Sequence, residues 1–251
     1  MDPSELYDYQ QQYAVQQLLI SPTLLPGLNP YISPPYVAMA YGALTHMSLA
    51  VSFTIWTILT LAAVVMAAYL TERYLIPDRL RCPSLSVPQL VVLVVSSFAF
   101  VEGVIVGQNH GITLLLATAV AVFSLRGRWW LAGLCGGLLI YKPHFVLGFL
   151  VIWLVWHRSR ALVAFAATAA VWLVVSLATS GTDPYRTYLA LSDSLLGLPY
   201  LDGFPAYLMV TPSGLFSTLL PQAVANSARA LSLAIALGAT VIIQASQRFP
   251  K

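Results

Sequence analysis

Long apolar runs separated by short polar turns dominate the chain. Four runs reach the length of about 20 residues that a helix needs to cross a bilayer, namely residues 48–71, 87–106, 161–180 and 223–246. Three shorter runs would have to extend into their flanks or lie in a thinned or protein-lined region, namely residues 111–125, 129–141 and 144–156. The pattern predicts an all-α polytopic membrane protein, a helical bundle with about seven transmembrane helices.

The polar stretches divide the chain into four predicted segments. Within the first, residues 6–19 are predicted to form a short amphipathic helix on the membrane surface. Residues 37–47 are predicted to form an interfacial or re-entrant helix that leads into the first span. The predicted segments are an extracytoplasmic N-terminal segment at 1–36, transmembrane helices at 37–180, an extracytoplasmic loop at 181–222, and a last span with a cytoplasmic tail at 223–251.

Basic residues mark alternate turns between the predicted spans. They include Arg73, Arg79, Arg81, Arg126, Arg128, Arg158, Arg160 and Arg248. The positive-inside rule places these turns in the cytoplasm. The opposite side then receives the turns at 107–111 and 141–144 and the loop at 181–222. We therefore predict a multi-pass protein of the plasma (inner) membrane whose polar turns face the extracytoplasmic side.

The amino-acid composition argues against several classes of protein. Only 8% of the 251 residues are charged and 59% are hydrophobic, whereas soluble domains contain about 25% charged residues. The net charge of +3 without a basic run gives no indication of nucleic-acid binding, so membrane lipids are the expected surroundings. Cys82 and Cys135 lie far apart, and the HExxH, GxSxG and P-loop patterns are absent. Neither a metal site nor a cofactor is predicted.

The first polar turn with candidate chemistry is Gly107-Gln108-Asn109-His110-Gly111. It places several hydrogen-bonding side chains at the membrane boundary, and glycines let a backbone approach a ligand closely. Two interpretations stay open: a substrate-binding turn, or a plain turn that caps two helices.

The second polar turn is Tyr141-Lys142-Pro143-His144. Lys142 is a lone lysine on the side where positive charge is disfavoured, which suggests that it binds a lipid-linked phosphate. The alternative is a lysine that snorkels to the headgroups. His144 is interpreted either as a donor to the phosphate or as a polar cap.

Glu102 lies in the outer half of a predicted span. A carboxylate in a membrane is costly, so it usually faces a cavity or a partner. Three roles stay open for Glu102: binding sugar hydroxyls, pairing with Lys142, or satisfying a polar group of another helix.

A separate feature of the helices, the spacing of Gly133 and Gly137, is typical of a close helix-packing face.

The loop at 181–222 combines charged residues with many aromatic ones. Its aromatic residues suit an interfacial helix and could stack on sugars, although anchoring alone also explains them. The residues concerned are Asp183, Arg186, Asp193 and Asp202, with Tyr185, Tyr188, Tyr200, Phe204 and Tyr207.

Read in order, several short motifs resemble the pattern GQxN…GR…AG…GL…KP of the GT87 family of multi-spanning glycosyltransferases. Its uncharacterised bacterial members are often called DUF2029 proteins. The motifs are Gly107-Gln108-Asn109, Arg126-Gly127-Arg128, Ala132-Gly133, Gly136-Gly137-Leu138 and Lys142-Pro143. Leu6-Tyr7-Asp8-Tyr9, Asn29-Pro30 and Pro34-Pro35-Tyr36 also resemble the stretch between the first two spans of that family. The resemblance covers roughly residues 5–220.

The resemblance implies a GT-C fold and transfer of a hexose from a polyprenyl-phosphate donor to an extracytoplasmic glycan or glycolipid acceptor. Mannose is the best-known sugar of the family, which includes mannosyltransferases. Such a reaction needs a carboxylate to deprotonate the acceptor and cationic groups to hold the leaving phosphate. The residues assigned to the donor phosphate are Lys142, His144 and Gln108. Those assigned to the rest of the substrate are Asn109, His110, Glu102 and Tyr141.

The chain also departs from the family pattern. Family members carry a transmembrane helix and an Asp-containing segment upstream of the matching region, so the catalytic base is expected upstream of this chain. We expect a partial chain, truncated or decayed, with little transferase activity by itself. The alternatives are a transporter or flippase subunit and a non-catalytic membrane protein. A transporter is less well supported because the polar residues gather on one face, and because the two halves show no inverted repeat.

Overall fold

The computed structural model describes residues 5–24, 31, 33–76 and 86–195, with scattered positions between 219 and 238. Every regular element in these residues is a helix, as predicted. The predicted last span and most of the 181–222 loop lie largely outside the described part of the chain.

The chain divides into two compact units. The first contains Met1–Met39 and Val175–Lys251, and the second contains Ala40–Val174. The ten described α-helices, numbered in chain order, are α1 (Tyr9–Ile20), α2 (Pro35–Tyr41), α3 (Leu49–Leu70), α4 (Val87–Val95), α5 (Phe98–Ile105), α6 (His110–Leu125), α7 (Trp129–Leu138), α8 (Pro143–Val155), α9 (Ser159–Ser180) and α10 (Asp183–Leu195).

In the first unit, α1 confirms the helix predicted near the N-terminus. It begins at Asp8, whose carboxylate accepts hydrogen bonds from the backbone N–H groups of Gln10 and Gln11 at 2.8 and 3.1 Å. The hydroxyl of Tyr7 donates to the carbonyl of Ser33 at 2.7 Å, and its ring lies 5.7 Å from that of Tyr188 on α10. Aromatic contacts therefore join α10 to the N-terminal stretch.

Two helices have the length of membrane spans; the first lies in the second unit, and the other begins there and ends in the first unit. Helix α3 continues through a π-helical turn, so that Leu49–Leu75 is long and apolar enough to cross a membrane, as is Ser159–Ser180. Helices α4 and α5 make a third candidate if they count as one span. The structure thus supports two or three spans in its described part, and the prediction of about seven is not confirmed. Helices α6, α7 and α8 are apolar but shorter.

The span expected at 87–106 is bent by 66° between α4 and α5. The break lies at Ser96 and Ser97, whose hydroxyls donate to carbonyls three residues earlier at 3.4 and 2.7 Å. The Ser97 hydroxyl also accepts from the N–H of Phe100 at 3.3 Å and so begins a new helix. Serine hydroxyls compete in this way with the helical hydrogen-bond ladder.

Helix α7 packs its glycine face against α9. A Cβ added at Gly133 would collide with Ala161 and Ala164, and one at Gly137 would collide with Thr168. The close packing predicted from the glycine spacing is confirmed. A second contact fixes α8 in the core, where the fully buried Trp153 donates its indole N–H to the Ser124 hydroxyl at 3.1 Å.

Helices α5, α6 and α8 all end in the same type of turn. Each is followed by a residue in the left-handed conformation, at Gly107 (φ 69°), Gly127 (φ 70°) and His157 (φ 54°). The next N–H then donates to the carbonyl five residues earlier, at 2.7, 2.8 and 2.8 Å, as in a Schellman motif. The backbone N–H and carbonyl groups of each turn bond to one another, so the turn needs no side chain to complete its hydrogen bonds. The side chains after the left-handed residue can therefore serve other roles.

Candidate functional site

The polar turn between α5 and α6 packs against the side of α3. The carbonyl of Gln108 accepts a hydrogen bond from the indole N–H of Trp56 at 3.3 Å, and the ring of Tyr41 lies 4.7 Å from that of Trp56. Gly111 lies so close to the backbone of Thr60 that no side chain would fit there. We call residues 106–113 with 141–142 the polar end of the second unit.

The polar end is recessed relative to α3. Trp56 and Thr60 lie about two and three turns into that helix, which corresponds to about 10 and 16 Å along its axis. At the opposite end of α6, the guanidinium of Arg126 lies 4.6 Å from the ring of Tyr74, in the last turn of the long helix. Helix α6 therefore ends level with the long helix at the arginine end and stops short of it at the polar end.

Three buried polar atoms at this turn have no hydrogen-bond partner. They are Oδ1 of Asn109, Nδ1 of His110 and Oγ1 of Thr60, and they make up three of the five such atoms in the described residues. An unsatisfied buried polar group costs about 1–3 kcal/mol, so a concentration of them marks a place where the polar groups of a ligand would be stabilised. The Asn109 side chain also makes a hydrogen bond with the Tyr41 hydroxyl.

The position of His110 depends on Gly103. The imidazole lies directly over this glycine, and any Cβ there would overlap the ring. A glycine in α5 thus provides the space that holds the imidazole at the turn.

The second polar turn meets the first through Thr113. The Thr113 hydroxyl lies 3.0 Å from the Tyr141 hydroxyl and 2.9 Å from the Asn109 carbonyl. Lys142 follows Tyr141 at the beginning of α8 and is close enough to His110 for their charges to interact. The two turns that the sequence predicted on one face therefore lie together.

Lys142 is half-buried, and its ammonium group has no ion-pair partner among the described residues. Burial lowers the pKa of this lysine from 10.5 to about 8, because water solvates the charged form better than the protein does. The group therefore carries a positive charge at neutral pH without a counter-charge among the described residues, which is the electrostatic arrangement expected of an anion-binding site.

The side chains of the other charged and polar residues singled out in the sequence have no described contact with the polar end. Glu102, in α5, is partly exposed and forms no ion pair with Lys142 in the described residues, so the structure does not show the pairing that was one of its three open interpretations. Its other two interpretations stay predictions. The side chain of His144 lies outside the described residues, as do those of Asp193 and Asp202. Asp183 and Arg186 form an exposed pair at 3.6 Å.

The sequence analysis missed four residues at this site. Thr113 lies within the polar end, and three others pack beside it, namely Tyr41, Trp56 and Thr60. Three of the four lie in apolar helices, where a single aromatic or hydroxyl residue is common. The spacing of Trp56 and Thr60, one helical turn apart, was the available signal. No group of three or more His, Cys, Asp or Glu residues in the described ranges could hold a metal ion.

The chain was compared with models of known protein families, with curated proteins and with solved structures. The model of Glycosyltransferase family 87 matches residues 31–248, which include both polar turns and the glycine face of α7. No curated protein and no solved structure matches the chain. Because the match covers most of its length, the chain belongs to glycosyltransferase family 87.

Proposed function

We propose that the polar end binds the sugar-phosphate portion of a polyprenyl-phosphate hexose, and that the protein serves transfer of this hexose to an extracytoplasmic glycan or glycolipid. The observation that carries the proposal is an uncompensated, half-buried ammonium, that of Lys142, beside three unpartnered polar atoms. The family match supports a membrane glycosyltransferase in general. The hexose, with mannose as the first candidate, and the lipid carrier are parts of the proposal.

The chemistry divides between the two turns. In an inverting transfer, the acceptor oxygen bonds to C1 of the sugar, the bond from C1 to the phosphate oxygen breaks, and the acceptor proton passes to a base. Negative charge grows on the leaving phosphate, and the ammonium of Lys142 stabilises this charge. Oδ1 of Asn109 accepts a hydrogen bond from a sugar hydroxyl. No described residue is assigned as the base.

Because the base is unassigned, donor binding is the more direct measurement. The purified chain in lipid nanodiscs would receive a photoactivatable polyprenyl-phosphate mannose, and labelled peptides would be mapped by mass spectrometry. We expect labels in residues 106–113 and 141–142, and at least a tenfold lower yield with Lys142→Ala, since a charged hydrogen bond to phosphate is lost.

Arg126→Ala is the matched control, because it removes a positive charge at the opposite end of α6. Equal labelling of wild type and Lys142→Ala would refute the assignment of the lysine. Competition by the unphosphorylated polyprenol as strong as by the phosphate would refute phosphate recognition. Movement of intact donor across proteoliposomes, without loss of its sugar, would favour a flippase instead.

A further inference from the structure

A cavity lies at the other end of the second unit. Its volume is about 320 Å³, and its lining residues are Gly127, Arg128, Trp129, Trp130, Leu131 and Arg160. Helix α6, with 16 residues, separates this cavity from the polar end by about 24 Å. The cavity is therefore distinct from the proposed donor site.

The arginines at this end fall into two classes. Arg126 lies over the ring of Tyr74 at 4.6 Å, and Arg158 lies over the ring of Trp129 at 4.5 Å, so both are held by aromatic faces. Arg128 and Arg160 line the cavity and form no ion pair or ring contact with any described residue. The two arginines without such a contact therefore line the same cavity.

An apolar stripe leads away from the cavity along α7. Leu131, Leu134 and Leu138 are 38, 44 and 39% exposed and lie on one side of the helix, since residues three, four and seven apart share a face. The opposite side of α7 is the glycine face that packs on α9. Beside the cavity, Trp130 is 53% exposed, as is typical of tryptophans at a membrane–water boundary.

We propose that this cavity binds the headgroup phosphate of an anionic membrane phospholipid, with an acyl chain along the leucine stripe. A planar guanidinium matches phosphate oxygens with two parallel hydrogen bonds, and two guanidiniums complement the charge of one phosphodiester. The cavity volume lies within the range of small-molecule sites. A soluble anion would use the arginines but would leave the stripe uncovered, so a lipid fits both features.

The test uses the purified chain in nanodiscs of phosphatidylcholine that contain a small fraction of brominated lipid. Bromine quenches nearby tryptophans, and of the six in the chain Trp129 and Trp130 line the cavity, so the part of the quenching that is lost in Trp130→Phe reports on lipid there. We expect brominated phosphatidylglycerol to quench at a severalfold lower fraction than brominated phosphatidylcholine does. Arg128→Gln and Arg160→Gln should each reduce this preference about five- to tenfold, the usual effect of losing one charged hydrogen bond.

Arg126→Gln is the matched control, because it removes a charge from the same end but outside the cavity. Equal quenching by the two lipids, or an equal loss of preference in Arg126→Gln, would overturn the proposal. Suppression of the preference by millimolar glycerol phosphate would assign the cavity to a soluble anion instead. Arg128→Lys keeps the charge and should restore part of the preference, which a misfolded variant could not do.

Discussion

The two ends of α6 share a backbone turn but differ in chemistry. Both turns contain a glycine with φ near 70°, at Gly107 and Gly127, and both are closed by the N–H of the next residue. That next residue is Gln108 at one end and Arg128 at the other. The same backbone turn therefore carries different chemistry at the two ends, because the side chains that follow the glycine and those that pack beside it differ.

The ends also differ in their level relative to α3. The polar turn lies against Trp56 and Thr60, well inside the long helix, whereas Arg126 lies at its last turn. Buried polar atoms can therefore occur at one end, and exposed guanidiniums at the other. A difference in helix length produces two environments from one kind of turn.

The largest effect should come from removing the charge at each end in turn. In membranes that support hexose transfer, Lys142→Ala should lower the rate about 100-fold or more, the usual cost of losing one group that stabilises transition-state charge. Arg126→Ala should lower it less than about threefold, because it lies some 24 Å away at the other end of α6. Initial rates with a radiolabelled donor would measure both, and equal effects would abolish the functional distinction between the ends.

A pH series should affect the polar end alone. Burial lowers the pKa of Lys142 to about 8, so the ammonium is present below that pH and lost above it. Donor affinity should therefore fall about tenfold per pH unit above pH 8, and should be nearly constant below pH 7. Lys142→Arg should flatten the profile because arginine stays charged. An alkaline decline that persists in this variant would show that another group titrates.

Gly103→Ala tests whether the position of His110 matters. The added methyl group overlaps the imidazole, so the ring must leave the turn. We expect about a five- to tenfold weaker donor binding, corresponding to one lost hydrogen bond. Gly148→Ala, in α8 with open space around its Cβ, is the control and should bind normally. Equal binding by both variants would remove His110 from the site.

The smallest effects concern the shared turn itself. Gly107→Ala and Gly127→Ala should each destabilise the fold by about 1–2 kcal/mol, because a Cβ is disfavoured in the left-handed region. His157→Gly should stabilise it by a similar or smaller amount, since this turn already holds a side chain at φ 54°. Unfolding midpoints in detergent would measure all three. Gly107→Ala alone should also weaken donor binding.

Much of this arrangement was predictable from sequence, because it depends on local patterns. The two polar turns and the glycine face of α7 each have a sequence signature, and the structure brings the two turns together and packs the glycine face on α9. The cytoplasmic location of the arginine turns stays a prediction. The break at Ser96 and Ser97 was missed because the apolar run continues through it. The bend depends on hydrogen bonds from two serine hydroxyls, and a hydropathy average over the run does not reveal such bonds.

The long-range partners of the site could not be read from local pattern. Trp56 and Thr60 join the polar end because α6 packs parallel to α3 at one particular level, and nothing near either residue specifies that level. The number of spans was equally inaccessible, since α6, α7 and α8 are apolar throughout but only 10 to 16 residues long. Composition predicts a membrane environment and leaves open how a short helix lies in it.

The glycine face of α7 has a consequence for biosynthesis. Helix α7, about 15 Å long, covers only half of a hydrocarbon core, so it gains little from entering the bilayer alone. Its packing partners, Ala161 and Ala164, are synthesised almost 30 residues after Gly133. Helix α7 therefore leaves the ribosome before α9 can receive it, and its insertion has to wait for that helix. A larger residue on this face would reduce the yield of inserted protein before it affected any ligand.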